Sequence, residues 1–203
     1  MSIRGSYTDS FHSTPLYSND AFAVVFLRDT SYGGLKNILV NNKPVDGGQI
    51  NGLFAEYFSA SNYISDTLNF STGANWAIAG NGYIPDFSYS FPGDQPAFTD
   101  SLPSVISLNN DFTMSFSASN TVNADSAYVF LEFTQQYNSA ISFTSVVSAK
   151  NGTVSIPKMY FSQSSTGGAR LHVLLFSYKY DVFGNKQFAF LKLNENIRSV
   201  IFQ

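Results

Sequence analysis

A chain of 203 residues, 44% hydrophobic and only 12% charged, has room for one large β domain or two sandwiches of roughly 100 residues each. Its net charge of −3 comes with no cluster of Lys and Arg, which argues against a nucleic-acid binder, since such a protein displaces counterions from phosphates. The absence of cysteine excludes disulfides, thiolate nucleophiles and cysteine-ligated zinc or iron–sulfur centres.

The opening residues Met1-Ser2-Ile3-Arg4-Gly5-Ser6 lack the apolar stretch of a secretory signal. No run approaches the roughly 18 apolar residues needed to span a bilayer. The low-charge surface, rich in Ser, Asn and Tyr, is read as that of an extracytoplasmic protein, at the cell surface or secreted.

Helical periodicity is nearly absent. Turn signals at Gly33-Gly34, Asn41-Asn42-Lys43-Pro44, Asp46-Gly47-Gly48, Asn109-Asn110-Asp111 and Asn151-Gly152 punctuate short apolar runs, which is an all-β pattern. The first half predicts strands near Ala21–Arg28, Leu35–Val40, Leu53–Phe58, Thr67–Ser71, Ala74–Ala79 and Phe87–Phe91. In the first of these Phe22, Val24 and Phe26 oppose Ala23, Val25 and Leu27, so both faces are apolar and the strand is expected inside a sheet.

Between Pro92 and Ser104 the prolines Pro92, Pro96 and Pro103 break ladders and helices alike, because proline donates no N–H. The domain boundary is placed there, giving an N-terminal β-sandwich over 1–98 and a second domain over 99–203. In the second, strands are expected at Val105–Leu108, Phe112–Phe116, Ser126–Thr134, Ile141–Val147 and Thr153–Ile156. A last hairpin, Arg170 to Leu193, turns through Asp181-Val182-Phe183-Gly184-Asn185 and is apolar on both faces. Its second face, with Tyr128, Phe130, His172, Phe176, Tyr178, Phe188 and Phe190, needs a cover from the chain, a partner or a ligand. Seven strands in about 100 residues, with frequent turns and no cysteine pair, fit an immunoglobulin-like and more specifically a fibronectin type III-like sandwich.

Residues Ile106–Phe116, Asp125-Ser126-Ala127-Tyr128-Val129, Gly152-Thr153-Val154-Ser155-Ile156-Pro157 and Ala169–Tyr180 resemble the strand series of β-sandwich domains in uncharacterised secreted proteins and lipoproteins of bacteroidete-type bacteria. Asn75-Trp76-Ala77-Ile78-Ala79-Gly80-Asn81-Gly82-Tyr83-Ile84-Pro85 also resembles a Trp-containing strand and turn in such proteins. The resemblance implies export and attachment through a lipidated cysteine, so a lipid anchor would lie outside this cysteine-free sequence.

The chemistry-bearing residues are few. Glu56 and Glu132 sit on aromatic strands and, with an aspartate, are the candidates for a glycoside-hydrolysing pair, which needs two carboxyl groups about 5 to 10 Å apart; the alternative is a solvated charge that discourages edge pairing. His12 and His172 show no metal-ligand spacing, and His172 is read as structurally buried. Asp181–Asn185 and Asn109–Asp111 are read as turn chemistry, not calcium loops. Trp76 is either the core tryptophan of the first sandwich or, with Tyr83 in the following loop, a stacking surface. Trp76, Tyr83, Tyr128 and Tyr178 are the candidate ligand-binding residues, and neither metal nor cofactor is expected. The expected role is a non-catalytic, cell-surface or secreted binding or adhesion module for a glycan or surface protein. The alternatives are an accessory or structural subunit packing through exposed aromatic faces, and a carbohydrate-active enzyme using Glu56 or Glu132.

Overall fold

A computed structural model describes residues 2–8, 21–27, 36–44, 48–51, 54–58, 73–80, 85–134, 139–161 and 169–203. In chain order the strands are β1 (Ser2–Thr8), β2 (Ala21–Leu27), β3 (Lys36–Val40), β4 (Lys43–Pro44), β5 (Gly48–Asn51), β6 (Phe54–Phe58), β7 (Gly73–Ala79), β8 (Phe87–Pro92) and β9 (Ala97–Phe98). They continue as β10 (Val105–Ile106), β11 (Phe112–Ser115), β12 (Thr121–Val122), β13 (Ser126–Thr134), β14 (Ser139–Ser148), β15 (Thr153–Ile156), β16 (Ala169–Phe183) and β17 (Lys186–Phe202). Among the described residues the one helical element is the 3-10 turn Lys158–Tyr160, and no helix is long and apolar enough to cross a membrane. The chain is nearly all β, in several sheets, as the spacing of turn residues predicts. The strand expected at Thr67–Ser71 lies outside the described residues.

The chain divides into two compact units. The first contains Met1–Arg4, Asn19–Gln95 and Tyr178–Leu193; the second contains Gly5–Ser18, Pro96–Ser177 and Asn194–Gln203. The tip of the last hairpin therefore belongs to the first unit and its base to the second.

In the first unit β4, β3, β7 and β8 form one antiparallel sheet. Period-two alternation explains its apolar face: Ala74, Trp76 and Ile78 of β7 are buried together with Ile38 and Val40 of β3 and Phe87 and Phe91 of β8, while Asn75, Ser88 and Ser90 are exposed. The β3–β4 hairpin closes through Asn41 and Asn42, both at positive φ (47° and 62°), as a two-residue turn that follows strand twist requires. Asn41 then reaches across the sheet, its Nδ2 donating to the Gly73 carbonyl at 3.1 Å and its Oδ1 accepting from the Asn75 N–H at 2.8 Å. Phe190 of the hairpin tip completes this core, with Phe183, Phe188 and Tyr89 packed at its margin. The backbone of β2, flanked by β1 and β6, is interior to its sheet, as its two apolar faces predict.

In the second unit β13 lies between β14 and β16. Ala127, Val129 and Leu131 stand opposite Leu175, Val173 and Leu171, and all six are fully buried. The short β11–β15 pair contributes Met114, Val154 and Ile156 to the same core, and β10 runs parallel to the end of β17 through Val105↔Ile201 and Ile106↔Phe202. Strand β17 continues to Phe202, well past the Leu193 end expected from sequence, and the turn is the two residues Gly184-Asn185 rather than the five from Asp181.

Its polar residues explain why the strand outruns its apolar pattern. Proline offers no N–H, so the Pro92–Pro103 stretch leaves carbonyls that a ladder does not satisfy. In the first unit the Nζ of Lys192, a residue 1% exposed, donates to the carbonyls of Pro92 and Gly93 at 2.8 and 2.5 Å and stands 4.5 Å from the centre of the Phe91 ring. In the second unit Asn194 Nδ2 donates to the Pro96 carbonyl at 2.7 Å and Arg198 Nη1 to that of Leu102.

Candidate functional site

At the hairpin tip, in the first unit, alternate residues of β16 part company. Phe183 turns inward and stacks on Phe87, ring centres 4.1 Å apart at 12°. Tyr178, Tyr180 and Val182 turn outward, 41%, 62% and 61% exposed. The two phenols meet edge to face with centres 5.8 Å apart at 66°, a preferred aromatic geometry. They form a short apolar row with polar tips on a strand held from below by Phe183, Phe188 and Phe190. Asp181 caps its own successor, accepting from the Val182 N–H at 2.8 Å. Burial, with Asp181 as the second cause, pushes the Tyr89 phenol above its ordinary 10.0.

The residues expected to share one outer aromatic surface do not. Phe190 is 5% exposed in the first unit's core, where it stacks on Tyr89 at 3.7 Å, and Phe188 packs on Phe87 beside it. In a strand the side chains alternate, so residues that look equivalent in composition are sent to opposite faces once pairing is fixed. Trp76 is 4% exposed and belongs to the same core. Tyr83 lies outside the described residues. Tyr128, in the second unit, is half-buried, with its ring 5.5 Å from that of Phe130. The structure thus leaves Tyr178 as an exposed member of the expected set and adds Tyr180 and Val182, which period-two spacing from Tyr178 marks in the sequence.

The second unit carries a cluster that the sequence leaves scattered. On the face of the sheet opposite the core, His172 stands across from Phe130, and Glu132 across from Arg170. His172 Nε2 lies 3.0 Å from Glu132 Oε2 and Nδ1 lies 2.8 Å from Glu195 Oε1. The imidazole stacks on Phe130 at 4.2 Å and 11° and is 7% exposed. Arg170 Nη1 is 3.6 Å from Glu132 Oε2. A neutral imidazole has one donor and one acceptor, so two carboxylates are satisfied together only when the ring donates from both nitrogens or a carboxyl group carries a proton. With a doubly protonated ring and Arg170 the four charges cancel, and the cluster ties β13, β16 and β17 together.

Glu132 and Glu195 flank one imidazole, which stands between their carboxylates. The ring itself fills the space that a glycosidic bond would need. The arrangement ties three strands together. The Glu56 backbone pairs with Phe26 and Gln49; its side chain lies outside the described residues. Asp111 Oδ1 accepts from the Lys158 N–H at 3.0 Å, a turn contact. Among the described residues no group of three or more His, Cys, Asp or Glu side chains is placed to hold a metal ion.

Comparison of the chain with protein-family models, with curated proteins and with solved structures returned no match.

Proposed function

We propose that the chain is a non-catalytic, cell-surface or secreted binding or adhesion module built of two β-sandwich units, the second of fibronectin type III-like type, with the hairpin tip as its contact surface. The observation that carries this reading is the row Tyr178, Tyr180 and Val182, each more than two-fifths exposed on a strand whose end is fixed by Phe183 against the first unit's core. Large side chains kept outward on a rigid strand lose little conformational freedom on binding, and tyrosine combines apolar area with a hydrogen-bonding tip. Two phenols at 66° present one ring face and one edge, which suits a protein surface better than a flat sugar platform.

The test is the double variant Tyr178→Ala/Tyr180→Ala, screened beside the wild type on arrays of extracellular proteins and of glycans. Retention by the wild type with at least tenfold weaker retention of the variant supports the reading, a glycan hit at the same residues selecting the sugar arm. Equal retention of both chains would remove the tip from the binding surface.

A further inference from the structure

We propose that β14 is a self-association edge, through which two copies of the chain pair antiparallel about a two-fold axis. β14 ends its sheet, and among the described residues its strand neighbour is β13. Edge strands expose a row of unpaired N–H and C=O groups, and proteins blunt them with charge, proline, bulges or short length. The segment Ser139–Ser148 carries no charged residue, no proline and no glycine over ten residues. It has one bulge, where Leu131 faces Phe143 and Glu132 faces Ile141, leaving Ser142 unmatched. Beyond that bulge Phe143–Ser148 runs in unbroken register against Ser126–Leu131. This six-residue stretch is uncharged and rich in β-branched and aromatic residues, the composition that favours pairing with itself.

Charge selects both the occupant and the direction. A strand without charge gives a differently charged partner nothing to recognise, and it does not repel its own copy. The nearest basic residue is Lys150, just past the strand, 3.8 Å from Asp125 of the same chain. Parallel in-register pairing sets the two Lys150 side chains on adjacent strands, about 4.8 Å apart in the pairing direction. Antiparallel pairing sends them to opposite ends. Side-chain alternation fixes the axis further: a two-fold axis perpendicular to the sheet keeps the core face of one copy beside that of the other only if it passes through a residue. Placed at Val146, it pairs 144–148 with the same residues of the second copy and sets the two Val146 side chains, each 65% exposed in the single chain, directly opposite one another. A closed two-fold contact uses the β14 edge of both copies and leaves neither of these for a third.

The experiment is sedimentation equilibrium of the whole chain from about 1 to about 100 µM, with circular dichroism to verify folding. The wild type is expected to reach twice the mass of the 22.3 kDa chain. Val146→Lys and Val146→Glu each put like charges opposite one another and are expected to weaken self-association at least tenfold; their equimolar mixture is expected to recover the dimer mass. Ser148→Lys, on an exposed position that the axis sets opposite Thr144 and away from its own copy, is expected to weaken the dimer less than Val146→Lys. Val182→Lys, at the hairpin tip, is expected to leave the dimer intact, so the proposal stands or falls separately from the tip's binding role. A monomeric wild type across the range, a Val146→Lys chain as dimeric as the wild type, a mixture that stays monomeric, or dissociation caused by Val182→Lys would overturn it.

Discussion

Replacing His172 by leucine tests whether the Glu132–His172–Glu195 cluster is a structural tie. The substitution keeps a side chain of similar bulk against Phe130 but removes both ring nitrogens, which lie 3.0 and 2.8 Å from carboxylate oxygens. Hydrogen bonds to charged groups contribute roughly 1.5–3 kcal/mol each. The two carboxylates retain 20% and 30% of their exposure, so water recovers part of that, and the net loss comes to about 2–3 kcal/mol. For a chain of this size each kcal/mol lowers the unfolding midpoint by about 2–4 °C, so thermal unfolding followed by circular dichroism is expected to shift down by about 4–12 °C. The triple variant Glu132→Leu/His172→Leu/Glu195→Leu removes the two stranded carboxylates as well, at the cost of the Glu132 partner of Arg170, and is expected to regain part of the loss, since replacing a buried polar group costs less than breaking it. A single variant within about 0.5 kcal/mol of the wild type, or a triple variant worse than the single, would refute the assignment.

Gly73→Ala is expected to cost about 2–4 kcal/mol in urea unfolding, because φ there is +117° and a new Cβ would lie 2.4 Å from the Phe91 carbonyl oxygen and 2.9 Å from Pro92 Cα, backbone atoms that cannot swing away; a loss below about 0.5 kcal/mol would refute the geometry. Burial holds Lys192 below its ordinary 10.5, with Asp94 opposing. The unfolded chain therefore keeps this proton to higher pH than the native one, so stability should rise as pH climbs through the folded value. Wild-type stability is expected to rise relative to that of Lys192→Met from neutral pH towards pH about 10 in urea titrations, and a flat or falling difference contradicts the burial. Trp76, the single tryptophan, is expected to emit at short wavelength and resist iodide quenching until the first unit unfolds, and Trp76→Ala to cost about 3–5 kcal/mol; a red-shifted, quenchable native spectrum would show an indole in water.

Several strand spans were legible from the alternation of side chains along them. Val129, Leu131 and Phe133 alternate with Tyr128, Phe130 and Glu132, and the span Ser126–Thr134 read from that pattern is the span observed. Thr153–Ile156 is likewise as expected. The end of β17 was not legible, because Lys192, Asn194 and Arg198 look like solvent positions. Their partners are carbonyls of a proline-bearing segment about 100 residues earlier in the chain, and hydrophobic periodicity carries no record of where unsatisfied carbonyls will lie. The histidine cluster was hidden for a related reason. Its members are 40 and 23 residues apart, and only the register that sets Phe130 opposite His172 brings them together. Burial of His172 followed from its aromatic neighbours, whereas its two carboxylate partners did not.

The same accounting alters what the composition means for binding. Of the charged residues, Lys192 and Arg198 donate to backbone carbonyls, and Glu132, Arg170 and Glu195 are held in or beside the histidine cluster. The surface is therefore poorer in free charge than 11 basic and 14 acidic residues suggest. Neither the tip row of Tyr178, Tyr180 and Val182 nor the uncharged β14 edge has an ionic contact to contribute across an interface. Screening acts on charge and leaves apolar burial and backbone pairing largely untouched. Self-association through β14 and capture at the tip are thus expected to change less than about twofold between 50 mM and 500 mM NaCl, measured by sedimentation and by surface retention. A steep fall with salt would place the contacts on charged residues and refute the reading of both surfaces.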